Sequence, residues 1–299
     1  MVVVLAGGTG GAKLARGLLD VVGPAELTVV ANTADDAELY GVHVSPDPDL
    51  VTYWLADLID ERGWGIAGDT WHVMDALAAA GEPAWFRLGD QDLAMCLLRT
   101  QRLRAGERLT DAHAAVVRGV RVEARVLPMC DEPVATWVQT AGAWLPFQQF
   151  MILERGAEPE AVELRGIEAA RPTADVLDAI ERADAIVIGP SNPVISIGPI
   201  LAVPGLHDAL AAARAPVVAV SPFVRGAVVK GPTEAFCRLA GLPLGVAAVE
   251  QAYAGLVDGV VADERAGSLP TLEADVLMDT PDARARVARE TLTFAQTLE

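Results

Sequence analysis

The sequence predicts an α/β protein with a Rossmann-like three-layer core, a mostly parallel sheet and a mixed, helix-rich insertion. Three observations lead to this prediction. A β-branched run at Val2–Ala6 ends in a string of glycines, apolar residues then recur at helical spacing over 12–21, and a second apolar run follows at Leu27–Ala31. Strand, glycine turn, helix and strand in this order open a doubly wound sheet.

The remaining elements are predicted from the same apolar periods, in chain order. Because strand and helix alternate at both ends of the chain, residues 1–46 and 169–299 are predicted to form the nucleotide-binding core, and residues 47–168 a mixed insertion. Helices are expected over 51–61, 70–80, 93–103, 110–118, 174–182, 206–213, 234–239 and 283–298. Strands are expected over 122–126, 135–138, 185–189, 216–220 and 260–262.

Composition excludes several classes of protein. The chain has 23 Lys and Arg against 41 Asp and Glu, a formal net charge of −18, which argues against a nucleic-acid-binding face. A small phosphorylated ligand is still compatible with this charge, because main-chain N–H groups and a metal ion can hold it. Three scattered cysteines predict neither a disulfide framework nor a zinc site and indicate a reducing compartment. No apolar run is long enough to cross a membrane, so a cytoplasmic protein is expected.

The glycine string at residues 7–13 lies between the first strand and the first predicted helix. Glycine lets a ligand approach the main chain closely, and the helix N-terminus adds free N–H donors and a partial positive charge. The spacing is neither the G-x-G-x-x-G fingerprint of nicotinamide-binding folds nor a Walker A loop. A tight structural turn is the alternative to a phosphate site. The candidate contacts are Gly8, Thr9, Gly10, Gly11 and Lys13.

Two acidic segments follow. The segment with Asn32 and Asp35 comes directly after the second strand, where an acid often meets a ribose or a metal; an Asx turn or a helix cap is the alternative. Asp47 and Asp49 stand two apart in a proline-stiffened loop, before a helix expected near residue 50. In extended backbone both would point to one side, which suits Mg²⁺ or a hydroxyl proton, while capping of that helix is the alternative.

Two segments rich in glycine or proline complete the candidates. One carries Trp64 and Trp71, which either stack on a flat ring or simply pack, and Asp69, a predicted cap for the following helix. The other follows the strand at 185–189, at the sheet edge where such folds bind ligands. Its side chains can bond phosphate or ribose oxygens, and no G-x-S-x-G elbow supports a hydrolase. Its candidate contacts are Ser191, Asn192 and Gly198.

Eight blocks of sequence cover nearly the whole chain. They are GGTGGAKL at 7–14, NTADD at 32–36, HVSPDPDLV at 43–51, RGWGIAGDTWH at 62–72, LGDQDLA at 88–94, LPMCDEPV at 127–134, IGPSNPVISIGPIL at 188–201 and AVSPFVRGAVVKGP at 219–232. Taken together, they resemble the 2-phospho-L-lactate transferase family of coenzyme F420 biosynthesis. In actinobacterial-type members of that family the corresponding activity is phosphoenolpyruvate transfer.

This resemblance implies a magnesium-dependent enzyme that acts on two small molecules and works as a homodimer. The donor is a guanosine diphosphate linked to lactate or to enolpyruvate. The acceptor is the deazaflavin Fo (7,8-didemethyl-8-hydroxy-5-deazariboflavin). The terminal ribityl hydroxyl of Fo attacks the distal phosphorus of the donor, and GMP leaves.

The resemblance also implies roles for the candidates. Asp49 and Arg87 contact Fo, and Asp47 and Asp49 carry Mg²⁺ or orient the hydroxyl. The insertion at 47–168 contributes to the deazaflavin pocket. Indoles that flank the deazaflavin ring are Trp64, Trp71 and Trp85. Residues that hold the nucleotide are Gly8, Thr9, Gly10, Gly11, Lys13, Asn32, Asp35, Ser191, Asn192 and Gly198.

Two residues depart from the family pattern. Cys130 stands where a hydroxyl residue is expected, and Pro48 stands where a plain apolar residue is usual.

Two other functions are alternatives to the transferase. A non-catalytic relative that binds nucleotide sugars would lack the blocks at 62–72 and 88–94, which this chain has. A nicotinamide-dependent oxidoreductase would need the missing G-x-G-x-x-G.

Overall fold

The computed structural model describes residues 1–228 and 231–298, so Val229 and Lys230 of the block at 219–232 lie outside the described residues. Its strands are β1 (Val2–Ala6), β2 (Leu27–Ala31), β3 (Ala37–Leu39), β4 (Val42–Val44), β5 (Arg125–Pro128), β6 (Ala135–Thr140), β7 (Ala143–Pro146), β8 (Ala161–Arg165), β9 (Ala185–Ile188), β10 (Val217–Val220), β11 (Phe223–Val224), β12 (Ala227–Val228), β13 (Gly259–Ala262) and β14 (Thr271–Glu273). Its helices are α1 (Gly8–Val22), α2 (Pro46–Leu55), α3 (His72–Ala79), α4 (Asp90–Arg104), α5 (Leu109–Gly119), α6 (Phe147–Leu153), α7 (Ala174–Glu181), α8 (Ile197–Ala202), α9 (Leu206–Ala211), α10 (Thr233–Leu239), α11 (Val246–Ala252) and α12 (Pro281–Ala295).

Seven strands form one sheet in the spatial order β14, β13, β10, β9, β1, β2, β5, and every neighbouring pair is parallel. The chain builds outward from β1 to β2 and β5. It then returns to the other side of β1 with β9 and continues to β14. The strand order therefore reverses between β1 and β9, and such a reversal opens a crevice at the carboxyl ends of the strands.

Apolar side chains cover both faces of this sheet, because successive residues of a strand point to opposite faces. In β1, Val3 and Leu5 belong to the core shared with α7, α8, α9 and α11, whereas Val2 and Val4 belong to the core shared with α1, α2 and α12. Helices thus pack on both sides of a parallel sheet. The predicted α/β class with a three-layer, mostly parallel core is confirmed.

The range 47–168 holds a mixed set of elements. In it, β7, β6 and β8 form a separate antiparallel sheet. Two elements of the same range join the core, because β5 pairs with β2 and α2 packs against α1. The division of the chain at residues 47 and 168 stays a prediction. Among the described residues, no helix combines the length and the apolarity needed to cross a bilayer.

Two expectations close to the glycine string are wrong. Helix α1 begins at Gly8 rather than at residue 12, so the string forms the first turn of the helix. Helix α2 begins at Pro46 rather than near residue 50, so Asp47 and Asp49 lie on a helix, roughly 200° apart around its axis, and not in extended backbone. A proline at the first position and two acids in the first turn explain the early start, since both favour a helix N-terminus.

Candidate functional site

A cavity of about 750 Å³ opens at the carboxyl edge of the sheet, over the reversal between β1 and β9. Its lining residues include two walls that meet where the Gly8 N–H donates to Asp47 Oδ1 at 2.7 Å. The glycine wall comprises residues 7–13 and 190–196, which follow β1 and β9. The acidic wall comprises Asp35, Asp47, Asp49, Tyr53 and Asp92. Predicted site residues that line the cavity are Gly8, Thr9, Gly10, Lys13, Asp35, Asp47, Asp49, Trp64, Trp85, Arg87, Ser191 and Asn192.

The glycine wall is two loops in main-chain contact. A Cβ on Gly10 would lie 1.9 Å from the carbonyl oxygen of Pro190, and a Cβ on Gly11 would lie 2.9 Å from Ser191 Oγ. The glycines are therefore needed for the loop after β9 to reach α1. Gly11 lies behind the wall and does not line the cavity, whereas Gly8, with φ of 69°, lies on it. The first N–H groups of α1 are thereby held at the cavity.

The loop after β9 is fixed by Asn192. Its Oδ1 accepts hydrogen bonds from the N–H of Val194 (2.8 Å) and of Ile195 (3.2 Å), and its Nδ2 donates to Thr233 Oγ1 at the start of α10. Ser191 Oγ is buried and has no hydrogen-bond partner among the residues that the structure describes. This hydroxyl can therefore donate a hydrogen bond that the described residues leave unused. Gly198 lies in α8, away from the cavity.

Asp47 and Asp35 form a pair of buried acids on the acidic wall. Asp47 accepts a hydrogen bond from the Gly8 N–H (2.7 Å) and another from Asn32 Nδ2 (3.0 Å), so Asn32 stands behind the wall. Burial nevertheless raises the pKa of Asp47 to about 6. Burial and the charge of Asp47 raise the pKa of Asp35 well above its usual value. Within the described ranges, Asp35 Oδ1 has no hydrogen-bond partner.

These two acids fit a divalent cation. An unpartnered carboxylate oxygen and a second buried carboxylate, both at the cavity, are the donor set that Mg²⁺ prefers. A cation there would offset the cost of burying two negative charges. The neighbouring Asp36 does not compete for this place, because it accepts hydrogen bonds from Ser45 Oγ (2.7 Å) and His43 Nε2 (2.9 Å) instead.

Asp49 is held differently. Both of its oxygens accept hydrogen bonds from Arg99, each at 2.7 Å, and the Arg99 side chain is completely buried. His113 lies beside this pair, with Nδ1 at 3.5 Å from the Arg99 Nη1 and Nε2 at 3.2 Å from Thr52 Oγ1. Burial lowers the pKa of His113 to about 4, so the ring is neutral. Arg99 therefore neutralises Asp49 and fixes its orientation at the cavity.

Two residues of the acidic wall are absent from the candidates that the sequence suggests. The Tyr53 hydroxyl donates to Asp92 Oδ1 at 2.9 Å, and the side-chain oxygens of Asp92 and Asp49 lie within 4.8 Å of each other. Burial and the charge of Asp49 raise the pKa of Asp92 to about 7. The block at 88–94 could have indicated Asp92. Nothing in the apolar sequence of α2 distinguishes Tyr53 from a core residue.

Aromatic and cationic side chains form the rim of the cavity. Trp64 is 48% exposed, and Arg62 stacks on it at 4.4 Å from the ring centre. Trp85 and Arg87 also line the cavity, and Arg87 pairs with Asp75 at 2.7 Å. Trp71 does not line the cavity: it lies on the far side of Arg62, 5.2 Å from the guanidinium. The rim therefore offers two indole faces to a ligand.

Crossed caps hold the segment that carries this rim. The expectation that Asp69 caps the helix after it is wrong: Asp69 accepts hydrogen bonds from the N–H groups of Gln91 and Asp92, at the start of α4. Asp90 in turn accepts from the N–H groups of His72 and Val73, at the start of α3. A Cβ on Gly89 would lie 2.0 Å from Asp69 Oδ2, so glycine there makes room for the cap.

The two residues that depart from the family pattern lie away from the open cavity. Cys130 is buried in the core, its Sγ 4.0 Å from Thr33 Oγ1, and burial raises the pKa of its thiol to about 12. Pro48 occupies the first turn of α2, where proline is tolerated. Neither residue lines the cavity.

Comparisons of this sequence with known families and proteins agree on one family. The model of the family described as 2-phospho-L-lactate transferase CofD matches residues 2–291. A phosphoenolpyruvate transferase of Streptomyces coelicolor is 41% identical over 99% of this chain and 98% of its own length. A 2-phospho-L-lactate transferase of Methanosarcina mazei is 39% identical over 88% of this chain and 87% of its own length. The crystal structure of a UPF0052 family protein from Bacillus halodurans shares the fold, with a TM-score of 0.60, 20% identity and coverage of 97% of this chain and 99% of that one.

Proposed function

This chain belongs to the 2-phospho-L-lactate transferase CofD family, and on that premise we propose that it is a transferase of coenzyme F420 biosynthesis. It moves a phospholactyl or phosphoenolpyruvyl group from a guanosine diphosphate-activated donor onto the ribityl hydroxyl of Fo and releases GMP. The observation that carries this proposal is one cavity that is lined both by a glycine wall of the phosphate-binding type and by a wall of buried acids. Homodimer assembly and a cytoplasmic location stay predictions from the sequence.

The glycine wall suits the diphosphate of the donor. Gly8, Thr9 and Gly10 in the first turn of α1 line the cavity, and the partial positive charge of a helix N-terminus favours an anion there. The Ser191 hydroxyl, which has no partner in the described part of the chain, supplies a further donor. Lys13, on the next turn of α1, lines the same wall and adds a positive charge. We therefore place the guanosine diphosphate here.

Asp35 and Asp47 would hold Mg²⁺ between this wall and the acidic one. When bound, the ion neutralises charge on the diphosphate and on the departing GMP oxygen. Asp47 already spans the two walls, because its Oδ1 accepts from the Gly8 N–H while its helix, α2, carries Asp49. Arg99 occupies both oxygens of Asp49, so we assign Asp49 to the acceptor rather than to the metal.

The acceptor hydroxyl meets the acidic wall. Asp49, oriented by Arg99, accepts its hydrogen bond, and Trp64 and Trp85 flank the deazaflavin ring. As the hydroxyl oxygen bonds to the distal phosphorus, the phosphoanhydride bond breaks and GMP leaves with the electron pair. The hydroxyl proton passes along this hydrogen bond to Asp49 and from there to the carboxylate of Asp92, whose side-chain oxygens lie within 4.8 Å of those of Asp49. Phosphoryl transfer of this kind needs positioning and charge neutralisation, not a covalent nucleophile.

The first experiment is direct turnover. The protein is incubated with Fo, Mg²⁺ and either the lactyl or the enolpyruvyl guanosine donor, and GMP and a heavier deazaflavin are followed by mass spectrometry. We expect product with at least one donor, and the two parallel reactions identify which. GDP binding without product from either donor would replace the enzyme by a non-catalytic nucleotide-binding protein.

The metal assignment has its own variant. Asp47→Asn is expected to lower kcat at least about 100-fold and to abolish the Mg²⁺ dependence of GDP binding measured by calorimetry, because one anionic ligand is lost. Asp208→Asn, on an aspartate whose side chain is 94% exposed on α9, is the matched control and should behave as wild type. Unchanged Mg²⁺ dependence in Asp47→Asn would remove this residue from the metal site. Asp49→Asn is a poorer test, because it leaves the Arg99 charge buried without a partner, which costs about 3–5 kcal/mol.

A further inference from the structure

Helix α6 turns one side towards the cavity. Phe147, Gln148, Met151 and Ile152 all line it, at the spacing of a single helical face. Arg155 continues this face one turn beyond Met151, just after the helix ends, and also lines the cavity. A guanidinium thus stands at the end of an otherwise uncharged face, and none of the functions proposed so far uses it.

Packing connects α6 to the glycine wall. The rings of Phe147 and Phe150 meet Phe236 of α10 edge to face, with centroids 6.4 and 5.9 Å apart. Ile195 of the glycine wall belongs to the same buried cluster. Asn192 Nδ2 also donates to Thr233 Oγ1 of α10. The loop after β9 and helix α6, which directly precedes Arg155, therefore both pack against α10. Arg155 therefore stands on the donor side of the cavity.

Arg155 differs from the other cations that line the cavity in having no ion pair with a described residue. Three cations line the described part of the wall: Lys13, Arg87 and Arg155. Lys13 pairs with Asp279 at 3.5 Å and Arg87 with Asp75 at 2.7 Å. Arg155 is exposed to the cavity, and its guanidinium makes no hydrogen bond or ion pair with a described residue. In a protein with 41 acids and 23 lysines and arginines, an unpaired arginine inside an acidic cavity is available for a ligand anion.

Building on the transferase function proposed above, we propose that Arg155 binds the carboxylate of the lactyl or enolpyruvyl group of the donor. The diphosphate has the α1 N-terminus, Ser191 and the acid-bound cation as partners. The carboxylate needs a cation of its own, and the other two lining cations, Lys13 and Arg87, are already paired with aspartates. A guanidinium matches a carboxylate with two parallel hydrogen bonds and also offsets its repulsion by the five lining aspartates. Arg155 is thus a specificity residue that distinguishes the donor, which carries a carboxylate, from plain GDP.

The test compares two ligands that differ in this carboxylate. Calorimetry measures binding of GDP and of the guanosine donor to wild type, Arg155→Ala and Arg155→Lys. We expect Arg155→Ala to weaken donor binding at least tenfold, to leave GDP binding within twofold, and to raise the donor KM far more than it lowers kcat, because the contact is present in ground and transition state alike. Arg155→Lys should recover part of the loss. Arg182→Ala, on an exposed arginine of the α7 end, is the control.

A carboxamide analogue of the donor allows the change in the ligand to be combined with Arg155→Ala in a thermodynamic cycle. Wild type should bind the analogue as weakly as Arg155→Ala binds the natural donor, and combining both changes should cause no further loss. Equal weakening of GDP and donor would place Arg155 on the phosphates and overturn the assignment, and so would undiminished donor binding in Arg155→Ala. Because these are binding measurements, they decide the role of Arg155 separately from the turnover assay, in which wild type alone decides the transferase function.

Discussion

The glycine wall and the acidic wall of the cavity are held in place by different means. The glycine wall is backbone against backbone: Gly10 touches the Pro190 carbonyl group, and both loops leave central, fully buried strands of the sheet. The acidic wall is held by charged side chains. Arg99 binds Asp49 across from α4 to α2, and crossed aspartate caps lock the segment between residues 69 and 92.

Because of this difference, the two walls should respond differently to amino-acid substitutions and to pH. Where the main chains of Gly10 and Pro190 touch, the requirement is the absence of a side chain, and this contact contains no titratable group. Where charges hold the wall, each contact involves groups whose ionisation or removal leaves a buried partner unsatisfied. We therefore expect the glycine wall to fail by steric overlap at any pH, and the acidic wall to respond to pH and to conservative changes of charge.

The largest effect is expected for Gly10→Ala. The added methyl group would lie 1.9 Å from a main-chain oxygen, which cannot move without shifting the loop after β9. We expect the free energy of unfolding to fall by about 3 kcal/mol or more, and GDP binding to be lost. Urea unfolding at pH 7.5 measures the first and calorimetry the second.

Gly119→Ala is the matched control for this substitution. A Cβ at this helical position would meet Met95 Sδ at 3.7 Å, an ordinary contact, so stability should stay within about 1 kcal/mol of wild type. If Gly10→Ala were as stable as Gly119→Ala and still bound GDP, the close approach of the two loops would not be what shapes the glycine wall.

The sequence predicts the glycine wall better than the acidic one, for a physical reason. Strands β1, β2 and β9 are buried on both faces, so each is a short continuous apolar run with a glycine-containing or polar segment at its end. Local pattern and sheet topology then place Gly8 and Ser191 at one edge without further information. The sequence does not predict the start of α1 inside the string, because glycine is a poor helix former. It also does not predict that Gly11 and Gly198 lie outside the cavity lining.

The acidic wall depends on partners far apart in the chain. Asp49 is fixed by Arg99, fifty residues later, and Asp69 caps α4 instead of the adjacent α3. A single sequence shows a good cap residue but not which helix start it reaches. Likewise, Arg99 in α4 looks like a surface residue of a polar helix, although its side chain is fully buried. No pattern in the sequence predicts that α6 lines the cavity.

A smaller effect, confined to acid pH, is expected at His113. Burial lowers its pKa from 6.5 to about 4, so below pH 6.5 the unfolded chain takes up a proton that the folded chain does not. The free energy of unfolding therefore falls as pH drops from 6.5 towards 4, by about 2 kcal/mol from this group between pH 7.5 and 5. His113→Gln cannot take up that proton. Between pH 7.5 and 5, its free energy of unfolding should therefore fall by about 2 kcal/mol less than that of wild type.

The comparison must be made between wild type and variant, because buried acids act in the opposite direction. Burial raises the pKa values of Asp35 and Asp47, so these groups add stability as pH falls. Urea unfolding of both proteins at pH 7.5 and pH 5 cancels this contribution. An identical pH dependence in the two proteins would mean that His113 is not the neutral, buried member of the Asp49–Arg99 cluster.

The smallest effect on stability, but a specific one on the site, is expected for Asp69→Ala. Losing the cap of α4 should cost about 1 kcal/mol, as for other helix caps. Because Asp69 also holds the N–H of Asp92, the acidic wall should loosen and the KM for Fo should rise several-fold. Thr173→Ala removes an ordinary cap, that of α7, which does not line the cavity. It should cost similar stability and leave the KM for Fo unchanged. Equal KM values in the two variants would show that the cap of α4 stabilises the fold without positioning the wall.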